Sequence, residues 1–227
     1  MNALTMTWDN YQQLAHRTEK PFPLMIQRLQ HAQLGVASET GELTGTIKKT
    51  LIYGAAFDVR NAKEETGDIL WYLAILANAL GFRLADAAAN KPPYDLGKAA
   101  EPGEALLFVQ YILNRESGAL AGGVHLIAEQ IISRDNWLNI TATIFGALHY
   151  LGSMHGYTLT ECAIENIVKL KERYPENYSD SDALARADKR NLSGFGLPCP
   201  QCGGLDHWAK TAQMCREVWR VSGEEST

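Results

Sequence analysis

The stretch "ETGDILWYLAILANALGFRLADAAA", residues 65–89, decides the fold, because the chain writes it a second time as "ITATIFGALHYLGSMHGYTLTECAI", residues 140–164. In the first copy Ile69, Leu70, Leu73, Leu76, Ala77 and Leu80 recur at helical spacing and mark one apolar face. Gly81-Phe82 aligns with Gly156-Tyr157, Leu84 with Leu159 and Asp86 with Glu161, all at an offset of 75 residues. Another echo lies upstream: "SETGELTG" at 38–45 and "RESGALAG" at 115–122, offset by 77. The two-residue difference falls between helices, where loop length varies freely. Any two amphipathic helices look alike, but that likeness does not require the glycines to coincide. Two echoes in the same order therefore point to an internal duplication.

Strand-like alternation is scarce and β-branched residues do not cluster, so the expected class is all-α. A first helix is expected over about Trp8–Arg17. Pro21 and Pro23 break the chain, and a second helix follows from about Leu24 to Leu51, ended by Gly54. Asp58 is an N-cap candidate for a third helix that ends at Gly81, and a short helix follows near Leu84–Asn90. The prolines and glycines of "NKPPYDLGKAAEPG", residues 90–103, read as a linker. The expected organisation is a helical bundle of two tandem halves, residues 1–95 and 96–190, with a short tail at 191–227. Two helical hairpins related by a pseudo-twofold axis would let one half act as the other's second subunit. The expected assembly is a pseudodimeric monomer or a homodimer.

The bulk numbers narrow the function. The 227 residues can build a sizeable core. A net charge of −5 and a pI of about 5.7 make broad electrostatic nucleic-acid binding unexpected. The longest apolar run, Ile69 to Phe82, is too short for a bilayer and contains Asn78, so no membrane partner is expected. "MNALTMTWDN" shows no basic segment followed by an apolar one, and four cysteines without a leader read as thiols or metal ligands. The expected setting is the cytoplasm.

The chemistry concentrates in carboxylates. Glu39 and Glu42 are three apart on one helix, and Glu65 and Asp68 are three apart on the next, so each pair shares a face. Glu64 lies four before Asp68 and can join them. If the helices pack antiparallel, the four carboxylates meet. Two such charges about 5 Å apart repel by about 3 kcal/mol at an effective dielectric near 20. Either some of them hold protons or a cation sits among them. Oxygen donors without His or Cys favour Mg²⁺ or Mn²⁺. The competing reading is a solvated acidic face partnered by Lys48 and Lys49. Adjoining apolar runs argue for the metal, as do Gly41 and Gly67, where close backbone approach is expected because a helical glycine costs about 1 kcal/mol.

These residues resemble the MazG-like family of all-α nucleoside triphosphate pyrophosphohydrolases, whose pattern is ExxE followed by ExxD. Here it reads Glu39-Thr-Gly-Glu42 and Glu65-Thr-Gly-Asp68. "DNYQQLAHRT" (9–18), "GDILWYLAILANALG" (67–81) and "NIVKLKERYPENYS" (166–179) look like the family's first helix, its metal-binding helix and its closing stretch. The resemblance covers roughly residues 5–190. It implies hydrolysis of an NTP or dNTP to the monophosphate and pyrophosphate. It also implies that Glu39, Glu42, Glu65 and Asp68 hold Mg²⁺ (or Mn²⁺) against the triphosphate. Glu39 or Glu42 is a candidate general base. Asn166, Lys169 and Arg173 share one helix face and are candidates for the phosphates, as is Lys48. A dUTPase-like specificity is a narrower version of this reading. The second half departs from the pattern: Ala119, Ile140 and Thr143 stand where Glu42, Glu65 and Asp68 stand in the first. That half is expected to be scaffold and phosphate-binding partner, with no catalytic metal. Trp8, Tyr11, Trp71 and Tyr72 are candidates for base stacking or for the core. His31, His149 and His155 read as structural.

The tail carries Cys199, Cys202, His207 and Cys215 in a C-x2-C-x4-H-x7-C order. Four soft ligands suit tetrahedral Zn²⁺, so a structural zinc is expected there, against a reading as reduced thiols. Cys162 reads as a small core residue. The alternative to an enzyme is a non-enzymatic MazG-like module that recognises nucleic acid or protein through a zinc-binding tail. A di-iron bundle is disfavoured by the absence of Glu-x-x-His pairs.

Overall fold

The computed structural model describes residues 6–95, 101–126 and 133–185. Among them every regular element is an α-helix: α1 (Trp8–Arg17), α2 (Met25–Tyr53), α3 (Val59–Leu80), α4 (Leu84–Ala89), α5 (Pro102–Leu126), α6 (Arg134–His155), α7 (Leu159–Arg173) and α8 (Asp180–Ala185). The ends follow local chemistry. Side chains of Thr7, Asp58 and Ser133 accept from backbone N–H groups three residues on, at 3.2, 3.0 and 3.3 Å. Thr158 and Glu161 close a reciprocal capping box on α7. The expected linker is shorter than its composition suggests, because Pro102 and Gly103 already belong to α5. Proline in the first turn loses only an N–H that has no helical partner there.

The pairs α2–α3 and α5–α6 are the two hairpins. In α2–α3 the contacts run in opposite directions along the helices. Asn61 Nδ2 donates to Thr46 Oγ1 at 2.8 Å near the turn, and the Tyr72 ring lies across Gly35 further out. Both α3 and α6 span 22 residues and end at a left-handed glycine, Gly81 (φ 70°) and Gly156 (φ 76°). Past that glycine the next N–H turns back onto the helix, Phe82 N to Ala77 O at 3.1 Å and Tyr157 N to Gly152 O at 3.0 Å.

From Ile69 to Ala77 every residue of α3 except Tyr72 is buried, so this helix is apolar all round and must be surrounded. It is packed by α2, α1 and α7, while α2 turns its far side to α5, and α5 and α4 cover α6. The short helix after the first hairpin thus lies on the second, and α7, after the second hairpin, lies on the first. One apolar cluster runs through both hairpins, from Leu43 and Leu73 to Val109 and Phe145. Helix α1 clamps the α3–α4 corner: Gln12 bonds Asn78, the Phe82 carbonyl and the Leu84 N–H at 2.9, 3.1 and 2.7 Å. No helix among the described residues is long and apolar enough to cross a membrane.

Candidate functional site

Three carboxylates converge where α2 passes α3. Oxygens of Glu39, Glu42 and Glu65 lie within 4.8 Å of one another. Spacing of three puts Glu39 and Glu42 on one face of α2, and the hairpin register brings that face opposite Glu65. Glu65 is buried, Glu39 half-buried and Glu42 exposed, so the cluster opens to solvent from the α2 side.

Charge accumulates there against burial. Glu39 is pushed up to about 7, first by burial and then by Asp68 and Glu42. Glu65 is pushed up to about 8 by burial, with Glu42, Asp68, Glu39 and Glu64 adding to it. Without a cation the cluster therefore retains protons at neutral pH. The donor set is oxygen only, and a hard divalent ion suits it in place of those protons. Mg²⁺ or Mn²⁺ would fit the residues present, and Glu39, Glu42 and Glu65 are the groups that could hold it, with Asp68 adjacent.

Asp68 itself faces α7. Lys169 Nζ lies 2.6 Å from Asp68 Oδ1 and 2.5 Å from Oδ2, and 3.6 Å from Glu64 Oε1. Asn166 Nδ2 donates to Asp68 Oδ1 at 2.7 Å. The phenol of Tyr11, fully buried, donates toward Asn166 Oδ1 (3.2 Å) and Gly67 O (3.3 Å). An amide whose oxygen is occupied by a donor must turn its NH₂ the other way, so Tyr11 aims Asn166 at Asp68. Lys63 of α3 pairs with Glu165 of α7 at 2.5 Å, which fastens the same two helices a turn away.

Gly67 explains how α7 comes so near. A Cβ there would lie 2.9 Å from the Cys162 carbonyl oxygen and 3.0 Å from Asn166 Cβ. The expected close approach at Gly67 is thus made to α7, not to α2. At Gly41 the expectation fails, because a Cβ there meets nothing within 4 Å. Cys162 is a buried free thiol in this contact, as its helix position suggested.

The remaining candidates separate. Arg173, one turn beyond Lys169, is half-buried with its guanidinium over the Tyr174 ring at 6.0 Å. Lys48 is exposed, and nine residues past Glu39 is about two and a half turns, which places it on the opposite side of α2 from the cluster. Tyr11 and Trp71 are core residues, and Trp71 Nε1 is bonded to Thr18 Oγ1 at 3.0 Å. Trp8 stands edge-on to Phe145. Tyr72 alone of the four aromatics is half-buried near the carboxylates, beside His31 and Trp71. In the second hairpin Glu116 is buried and paired with Arg115, Nε to Oε1 at 2.7 Å. Thr143 bonds its own helix through Asn139 O, and no second carboxylate cluster occurs among the described residues. Cys199, Cys202, His207 and Cys215 lie outside the described residues.

Three residues that build the site, Tyr11, Lys63 and Glu165, are not singled out for these roles by the sequence. Tyr11 read as a stacking or core aromatic, and nothing local reveals that its hydroxyl orients an amide 155 residues away. Lys63 and Glu165 carried a weak signal, since opposite charges on the facing surfaces of two apolar helices are a pairing cue.

No curated protein and no solved structure matches the chain. A family model does: residues 27–91 match the MazG nucleotide pyrophosphohydrolase domain, a span that holds nearly all of α2, the whole of α3 and α4, and all four carboxylates. In that stretch the chain is similar to the MazG nucleotide pyrophosphohydrolase domain.

Proposed function

We propose that the protein hydrolyses a nucleoside triphosphate to the nucleoside monophosphate and pyrophosphate, with Mg²⁺ held by Glu39, Glu42, Glu65 and Asp68. The observation that carries this reading is the convergence of Glu39, Glu42 and Glu65 within 4.8 Å, beside a carboxylate that already faces a lysine and an amide. A bound divalent ion would offset the triphosphate's negative charge and acidify a coordinated water. The residues do the rest. Water attacks the α-phosphorus, the bond to the β-phosphate oxygen breaks, and pyrophosphate leaves. Glu39 or Glu42 is the candidate to take the water's proton. Lys169 and Asn166 are within reach of phosphate oxygens next to Asp68, and Arg173 continues their face. Tyr72 is the aromatic best placed to meet a base.

We read α5–α6 as a second copy of the α2–α3 hairpin that lost its metal motif and stayed as scaffold. The matching lengths of α3 and α6, their glycine stops and the exchange of α4 and α7 between hairpins support that reading.

The test is turnover of a panel of dNTPs, NTPs and dUTP with Mg²⁺, products separated by chromatography. Monophosphate with pyrophosphate is expected, and Asp68→Asn should lower the rate by at least about a hundredfold. Orthophosphate as first product, or full activity in Asp68→Asn, would defeat the proposal.

A further inference from the structure

We propose that Lys169 is the counter-ion of the metal-free site and competes with the divalent cation for Asp68. This rests on the metal-binding reading above and adds to it a second role for a residue offered there as a phosphate ligand. The geometry is that of an occupied carboxylate. The ammonium straddles both oxygens of Asp68 at 2.6 and 2.5 Å, and Asn166 adds a third donor at 2.7 Å. Lys169 also reaches Glu64 at 3.6 Å, so it serves the two α3 carboxylates that stand outside the three-glutamate group. That separation is the second observation. Asp68 follows Glu65 by three on the same helix face, yet its oxygens are turned to α7 while Glu65 joins Glu39 and Glu42.

Competition follows from charge. A dication near Asp68 repels an ammonium already in contact with it, so one must yield. Lys169 sits on a flexible four-carbon stem, whereas Asn166 is buried and fixed through Tyr11. The lysine is the group that can leave, and a polyphosphate is an acceptor it can leave to. Binding of metal and of polyphosphate is then cooperative, because each favours the same released position of Lys169. A lysine that served only as a phosphate ligand would not change metal affinity when no phosphate is present.

The measurement is Mn²⁺ binding to the full chain by electron paramagnetic resonance, with no nucleotide present. Lys169→Met should bind Mn²⁺ more tightly than the wild type by on the order of tenfold. Lys169→Arg, which keeps the charge, should stay near the wild type. Equal or weaker Mn²⁺ affinity in Lys169→Met, in a protein with unchanged circular dichroism, would overturn the proposal. Failure of all three proteins to bind Mn²⁺ would instead overturn the metal reading itself. If Lys169→Met does not fold, acetylation of Lys169 in the wild type, mapped by peptide mass, decides the matter. It should rise when Mn²⁺ is added, and an unchanged rate counts against the competition.

Discussion

At the scale of single residues, the protons on Glu39 and Glu65 set how the protein responds to pH. Both carboxyls bind protons more tightly folded than unfolded, with values raised from 4.5 to about 7 and about 8. Below about 4.5 both states hold those protons and the groups cost the fold nothing. Between about 4.5 and about 8 the unfolded chain has released protons that the folded site still holds, so stability falls across that window and levels off above it. In EDTA the melting temperature should therefore drop between pH 5.5 and pH 8.5. Mg²⁺ should raise it more at the higher pH, because the ion takes the place the protons leave. Differential scanning fluorimetry at the two pH values checks this, and a Mg²⁺ shift that is larger at pH 5.5 would contradict it.

At the scale of the helix, two glycines near the site should respond oppositely to the same change. Gly41→Ala places a Cβ in open space and removes backbone freedom from the unfolded chain, which stabilises by about 0.4–1 kcal/mol. Gly67→Ala drives a Cβ into the Cys162 carbonyl and Asn166, so α7 must move away from α3. Overpacking of this kind costs typically about 1–3 kcal/mol. Thermal melts should show the first variant up by a few degrees and the second down, with Gly67→Ala also slower in turnover. The helix limits themselves were legible, since Gly54, Asp58 and Gly81 are local stop and start signals that act within a turn. The two ExxE/ExxD pairs were legible for the same reason, as spacing alone puts each on one face. What lay between the glycines was not. Whether a missing side chain makes room for α2, for α7 or for nothing depends on a helix crossing, and crossing angles are set by packing far along the chain.

At the scale of the whole molecule, the matched span is packed by helices from outside it. Residues 27–91 carry the carboxylates, but α5 covers the far side of α2, and α7 supplies the groups that face Asp68. A fragment of residues 1–95 should therefore show no cooperative melt by calorimetry and no turnover under conditions where the full chain has both. A cooperative and active fragment would show that the second hairpin is dispensable. The echo between residues 65–89 and 140–164 hinted that two hairpins would pack. It did not show that α4 and α7 each lie on the opposite hairpin, because sequence similarity carries no record of which copy a helix rests upon.

That crossing has a consequence for synthesis. Asp68 and Lys169 are separated by 101 residues. At about 5–20 residues per second, the ribosome makes the carboxylate roughly 5–20 s before its lysine. Through that interval the nascent chain carries its four carboxylates without the α7 amide and ammonium, and closing so long a loop is an entropically late event. The pairing of Asp68 with its lysine is thus among the later contacts the growing chain can make.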